Sequence, residues 1–173
     1  MRSIAEIFNS YEERDPQGRH IGGTDKHGAN HHYGDAYEGL FPDREAVKLV
    51  MEVGVADGAC MLAWREVFPN ALVVGMDIHS SAFAIGDRLE FNLGDQRSRQ
   101  HCERAAAGRQ FDLIVEDATH HLPDTLLTLF WLWPYVRAGG VYVVEEWEGV
   151  GGDRKRVTDL FPFADLDPPK EAR

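Results

Sequence analysis

Apolar and polar positions alternate in blocks along this chain. Short β-branched or apolar runs occur at residues 47–53, 71–78, 88–93, 111–116 and 141–144, and most of them close on an acid or a glycine. Runs of that length bounded by turn residues read as strands, and the longer helix-compatible stretches between them make a β-α alternation that repeats four times. Such alternation implies a parallel sheet with helices on both faces. The organising stretch is Val47 to Ala63, where a strand runs into Glu52, then Gly54 and Gly58, and a helix follows from Ala59 to Phe68. Glycines in such a turn let backbone approach a ligand, and the helix start offers free N–H groups. Ala56 stands where a dinucleotide fingerprint needs glycine, which weakens a plain NAD reading.

Outside these blocks the pattern is less regular. Ile4, Ile7 and Phe8 fall at helical spacing within Met1 to Tyr11, suggesting a short amphipathic helix appended to the core. Glu12 to Asn30 is polar, carries Pro16 and four glycines, and reads as a long loop covering the site. Tyr33, Tyr37, Leu40 and Phe41 share one helical face that ends at Pro42, and core packing is the simplest explanation of that stripe. The segment Asp124 to Val136 reads as a helix whose Leu126, Leu127, Leu129, Phe130, Leu132 and Trp133 pack on the sheet, with Gly139 and Gly140 ending it. The expected division is an N-terminal helix and cover over residues 1–46 and a Rossmann-like domain over 47–173, forming one compact unit.

Composition narrows the classes of function. A formal net charge of −11 and a pI near 5.1 argue against a nucleic-acid backbone or an anionic membrane as the main partner. Cys60 and Cys102 are too few for a disulfide framework, and no apolar run is long enough for a membrane span, so a cytoplasmic protein is expected.

Candidate chemistry sits at the strand ends. Asp77 closes the second strand 25 residues after Glu52, the place where Rossmann-like folds hold ribose hydroxyls. Gly94, Asp95 and Gln96 follow the third strand at the same crevice; Asp95 reads equally as a helix N-cap. Asp117 ends the fourth strand, and Glu145 and Glu146 end the fifth. Three carboxylates at one edge repel one another unless they gain protons or a cation, and an oxygen-only set points to Mg²⁺. His120 is close enough in sequence to act as a base, with His121 as its competitor; the alternative is that these are solvated strand-end charges and a capping histidine.

Taken in order, Gly23-Thr24-Asp25-Lys26, His31, Tyr33, MEVGVADGA, GMDI, GDQ, FDLIVEDATHH and GGVYVVEEW resemble class I S-adenosylmethionine-dependent methyltransferases, and among them the metal-dependent macrolide and rhamnosyl sugar O-methyltransferases of the mycinamicin type. The resemblance spans roughly residues 22–147. It implies donor contacts at Thr24, Lys26, Glu52, Gly54, Asp57, Asp77, Ile78, Asp95, Gln96 and Asp117. It further implies Mg²⁺ on Asp117, Glu145 and Glu146, His120 as the base, and His31, Tyr33 and His121 near the acceptor. The acceptor would be a sugar or glycosylated natural product. The chain departs from the family at Ala56, at Asp117-Ala118-Thr119-His120 and at Glu146. Only 27 residues follow Glu146, so the expected sheet is shortened, in order 3-2-1-4-5, with an edge strand that a homo-oligomer would cover. A non-catalytic donor-binding or partner subunit of the same fold is the alternative.

Overall fold

The computed structural model describes residues 1–14, 16, 20–26, 33–80, 86–148 and 154–155. His31 and most of the segment after Glu148 lie outside the described residues. Helix α1 (Ile4–Ser10) opens the chain on a capping box, in which the Ser3 hydroxyl accepts from Glu6 N and the Glu6 carboxylate accepts from Ser3 N. Strands β1 (Glu12–Arg14) and β2 (His20–Gly23) pair antiparallel, and helix α2 (Tyr33–Leu40) follows. The main sheet is built from β3 (Leu49–Val53), β4 (Leu72–Asp77), β5 (Leu89–Leu93), β6 (Phe111–Glu116) and β7 (Val136–Val144). Between them come α3 (Ala59–Val67), α4 (Arg99–Ala106) and α5 (Leu122–Leu132), the last extended by a 3-10 turn at Trp133–Tyr135. β8 (Trp147–Glu148) and β9 (Arg154–Lys155) form a separate antiparallel pair.

All four pairings in the main sheet are parallel, in the order β5-β4-β3-β6-β7. This is the expected 3-2-1-4-5 Rossmann-like arrangement, and among the described residues β5 and β7 form its two edges. β3 and β6 are buried almost throughout because both faces are covered, which is why they read as continuous apolar runs.

One face carries α1, α2 and α3 around Trp64, whose indole meets Phe8 and Tyr37 edge-on at 5.0 and 4.8 Å and stacks on Phe68 at 5.7 Å. Each such side chain contributes about 1.5–3 kcal/mol by leaving water. α1 is therefore part of the core, not the appendage expected: Ile4, Ile7 and Phe8 are fully buried. It lies so close to α2 that a Cβ on Gly34 would come within 2.5 Å of Ala5 Cα.

The other face carries α4 and α5 over Met51, Val74, Ile114 and Tyr142. Here the expectation for α5 needs correction. Its buried residues are Thr125, Thr128 and Leu132, while Leu126, Leu127 and Phe130 are 53, 43 and 75% exposed. The threonines turn inward because Thr128 Oγ1 has buried partners, accepting from Gln96 Nε2 and lying 3.3 Å from Gln96 O.

Three smaller corrections follow. Part of the expected cover loop is the β1–β2 ladder. Gly139 and Gly140 lie inside β7, at a register shift against β6, and do not precede the strand. Ser98, not Asp95, caps α4, accepting from His101 N.

Candidate active site

The carboxyl ends of β3, β4, β5 and β6 open into a cavity of about 630 Å³. Its floor is the turn after β3. Gly54 sits at φ +88°, and a Cβ there would come within 2.1 Å of the Asp117 carbonyl oxygen, so only glycine permits this approach of β3 to the β6 loop. Asp77 holds the turn from β4: its Oδ2 accepts from Val55 N at 2.9 Å and Ala56 N at 3.0 Å, and its Oδ1 accepts from His79 N at 2.8 Å. Ile78, beside it, exposes its side chain on the cavity wall. Asp57 ties the wall to the cover segment, accepting from Gly23 N at 3.1 Å through Oδ2 and from Ala59 N through Oδ1. Thr24 is buried and lines the same wall.

Asp95 and Gln96 line the far side and differ in setting. Asp95 pairs with Arg97 at 2.9 Å, and the hydrogen bonds from Arg97 hold its carboxyl below the usual range. Gln96 is buried, donates to Glu116 Oε1 at 3.0 Å and accepts from Thr119 N at 3.0 Å. Glu116 and Thr128 are site-supporting residues that the sequence reading did not single out for a role, and Tyr37, read as core packing, also bonds Glu145. A glutamate inside the fully buried FDLIVE strand was the available signal, because a buried acid needs partners. Burial pushes the Glu116 carboxyl up.

Asp117, Glu145, Glu146 and His120 lie at the edge formed by β6 and β7. His120 Nδ1 is 3.0 Å from the Glu146 carbonyl oxygen, its Nε2 is 3.8 Å from Glu146 Oε2, and its Nδ1 is 4.0 Å from Asp117 Oδ1. A carbonyl only accepts, so in this contact Nδ1 is the donor. The ring lines the cavity. His121, by contrast, is the N-cap residue of α5, and its side chain is 60% exposed beside Asp124.

Glu145 and Glu52 are fully buried. Lys26 reaches them from the cover segment, its Nζ lying 3.0 Å from Glu52 Oε1 and 2.6 Å from Asp117 Oδ2 and bonded to Glu145 Oε2. The Tyr37 hydroxyl donates to Glu145 Oε1. Burial alone would lower the lysine's pKa, but Asp117, Glu145 and Glu52 raise it well above the ordinary value, so the ammonium stays charged. Burial raises the carboxyls of Glu52 and Glu145, and Lys26 pulls them back. Burial also raises Tyr33, as does the negative charge of Glu145.

Asp117, Glu145 and Glu146 make an oxygen-only donor set of the kind a hard cation takes, and of the three Asp117 lines the cavity while Glu145 is buried with its oxygens on Lys26 and Tyr37. Among the described residues no three acidic, histidine or cysteine side chains are already grouped as a metal cage. Lys26, Glu52, Glu145 and Tyr33, by contrast, are not part of the cavity wall.

No family model matches the chain. It is similar, however, to several curated enzymes: 30% identical over 145 residues to demethylmacrocin O-methyltransferase of Streptomyces fradiae and 30% over 146 residues to mycinamicin VI 2''-O-methyltransferase of Micromonospora griseorubida. Each alignment covers 75% of this chain and 36% of the relative, so the chain spans little more than a third of the length of these relatives. Among solved structures it resembles MycE methyltransferase from the mycinamycin biosynthetic pathway in complex with Mg and SAH, with a TM-score of 0.73 and 25% identity over 84% of this chain and 40% of that one. Among the described residues no helix is long and apolar enough to cross a membrane. Through the region it shares with these proteins, the chain belongs to the family of macrolide and rhamnosyl sugar O-methyltransferases.

Proposed function

We propose that this chain transfers the methyl group of S-adenosylmethionine to a hydroxyl of a sugar or glycosylated natural product, with Mg²⁺ at the β6–β7 edge. The observation that carries this reading is His120, whose imidazole lines the cavity with Nδ1–H held by the Glu146 carbonyl and Nε2 left as a base. S-adenosylmethionine supplies an electrophilic methyl, and Asp117, Glu145 and Glu146 would hold Mg²⁺, which would supply the charge that acidifies the acceptor hydroxyl. His120 Nε2 takes that proton as the O–CH₃ bond forms and the S–CH₃ bond breaks, with S-adenosylhomocysteine leaving.

The remaining residues position the reactants. Asp77 has lone pairs left for ribose hydroxyls after its three backbone bonds, and Ile78 offers an apolar edge to the adenine. Asp95 and Gln96 close the adenine side; Gly54 gives the donor access to backbone; Thr24, Asp57 and Asp117 wall the donor's amino-acid end. Tyr33, His31 and His121 stand as candidates on the acceptor side, and the acceptor is a vicinal diol. The molecule works in the cytoplasm as a homo-oligomer, in which a second copy covers the β7 edge.

The test is to follow S-adenosylhomocysteine formation with a panel of rhamnosides while measuring donor affinity by calorimetry. His120→Gln is expected to lower turnover by about 10²–10⁴-fold with donor affinity unchanged. Undiminished turnover in that variant, or no donor binding by the parent protein, would overturn the reading.

A further inference from the structure

A lysine wholly removed from water persists only where anions surround it. Lys26 is such a residue. It belongs to the segment between β2 and α2, yet its ammonium meets one carboxylate from β3, one from the end of β6 and one from the end of β7: Glu52 Oε1 at 3.0 Å, Asp117 Oδ2 at 2.6 Å and Glu145 Oε2. Three acids on three adjacent strands thus converge on one nitrogen. Convergent carboxylate oxygens at roughly 2.0–2.6 Å are how proteins hold Mg²⁺ or Ca²⁺, and here an ammonium takes the centre.

The lysine uses one oxygen of each acid. Asp117 Oδ1 faces His120 Nδ1 at 4.0 Å, on the cavity side, and Glu145 Oε1 receives the Tyr37 hydroxyl. Asp117 is therefore placed to hold a cation on each side of its carboxylate. In two-metal sites, carboxylates bridge ions about 3.5–4 Å apart.

We propose that Lys26 is a built-in cation filling the inner place of a carboxylate-bridged pair, so that this edge takes up one divalent ion, on the His120 side, and not two. The outer ion rests on the methyltransferase reading above. Formal charge agrees: Glu52, Asp117, Glu145 and Glu146 bring four negative charges against the one positive charge of Lys26, and one divalent ion with a singly positive S-adenosylmethionine restores neutrality. A second divalent ion would exceed it. Lys26 is then a positioning residue that sets metal stoichiometry, and it makes no contact with the donor. Gly23, Thr24 and Asp25 line the cavity while the lysine turns behind them, so the same ion pairs fasten the cover segment to the sheet edge.

The test counts Mn²⁺ bound to the protein by loss of the free-ion EPR signal, with saturating S-adenosylmethionine present and no acceptor. The parent protein is expected to bind one ion, Lys26→Ala two, Lys26→Arg one, and Lys26→Ala/Glu52→Gln to lose the second ion again. Metal-free Lys26→Ala is expected to melt lower than the parent and to recover in Mn²⁺. An unchanged count in Lys26→Ala overturns the proposal. If the parent binds none and Lys26→Ala binds one, the built-in cation stands while the metal-dependent reading falls; if neither binds any, both fall. Should Lys26→Ala fail to fold without metal, folding in Mn²⁺ supports the proposal, and failure at every Mn²⁺ concentration counts against it.

Discussion

Replacing Tyr37 by phenylalanine isolates one buried bond. The hydroxyl donates to Glu145 Oε1, and both residues are out of water. Burial and the neighbouring Glu145 raise the phenol well above its usual pKa, so it remains a donor at any working pH. Phenylalanine keeps the ring, and with it the edge contacts to Trp64 at 4.8 Å and Phe8 at 6.1 Å, so no cavity term enters. What is lost is a hydrogen bond to a charged group, worth about 1.5–3 kcal/mol, and Glu145 Oε1 gains no water in exchange. For a chain of this size about 2 kcal/mol corresponds to a Tm lower by roughly 4–8 °C. Urea unfolding with an unchanged m-value is the assay, since a changed m-value would signal altered compactness. Tyr142→Phe is the control: that hydroxyl is buried with no hydrogen-bond partner among the described residues, and its removal should be neutral or slightly stabilising. Equal effects from the two variants would refute the reasoning, because the partnered and unpartnered hydroxyls would then be energetically alike.

Two further outcomes are expected. Ala56 holds φ +46° in the turn after β3, and Ala56→Gly should stabilise by about 0.5–1 kcal/mol in chemical denaturation, the relief of left-handed strain exceeding the entropy glycine adds to the unfolded chain. Hydrogen bonds from Arg109, at 2.8 Å to each oxygen, are the main reason that the Glu90 carboxyl is held below the usual glutamate value. A depressed carboxyl contributes stability above its unfolded pKa and loses it as pH falls through the folded value, so Glu90→Gln should flatten the acid limb of the stability curve below about pH 4.5. The pair is partly exposed, so the effect is small and shrinks with added salt.

The sheet was legible because burial on both faces makes parallel strands plain apolar runs; FDLIVE matches β6 residue for residue. The acids and His120 at strand ends were legible as positions, since strand ends in such a sheet share one edge. The orientation of α5 was not. An almost uniformly apolar helix carries little phase information, and the inward side is the one that buries Thr125 and Thr128, of which Thr128 bonds Gln96 at the crevice. The contacts of Lys26 were equally hidden: its partners Asp117 and Glu145 lie 91 and 119 residues away, beyond any local pattern. The β1–β2 ladder escaped because glycine and charge outweigh the weak strand signal of EER and HIGG.

Strain ties these observations together. Among the described residues five that are not glycine have positive φ, and three of them follow the carboxyl ends of neighbouring strands of the main sheet: Ala56 after β3, His120 after β6 and Glu146 after β7. Each costs on the order of 1–2 kcal/mol, and such residues persist only where their surroundings over-determine them. Here the restraints can be named. Asp77 accepts from the Ala56 amide, Gly54 lets the Asp117 carbonyl pass within contact distance, and the His120 ring bonds the carbonyl of Glu146. The two strained residues on β6 and β7 therefore hold each other, and relaxing either one breaks the bond that orients the histidine ring. Backbone strain and the orientation of the His120 ring at this edge are one feature, which is why His120 is expected to be sensitive to substitution at Glu146 even though its bond there is to the main chain.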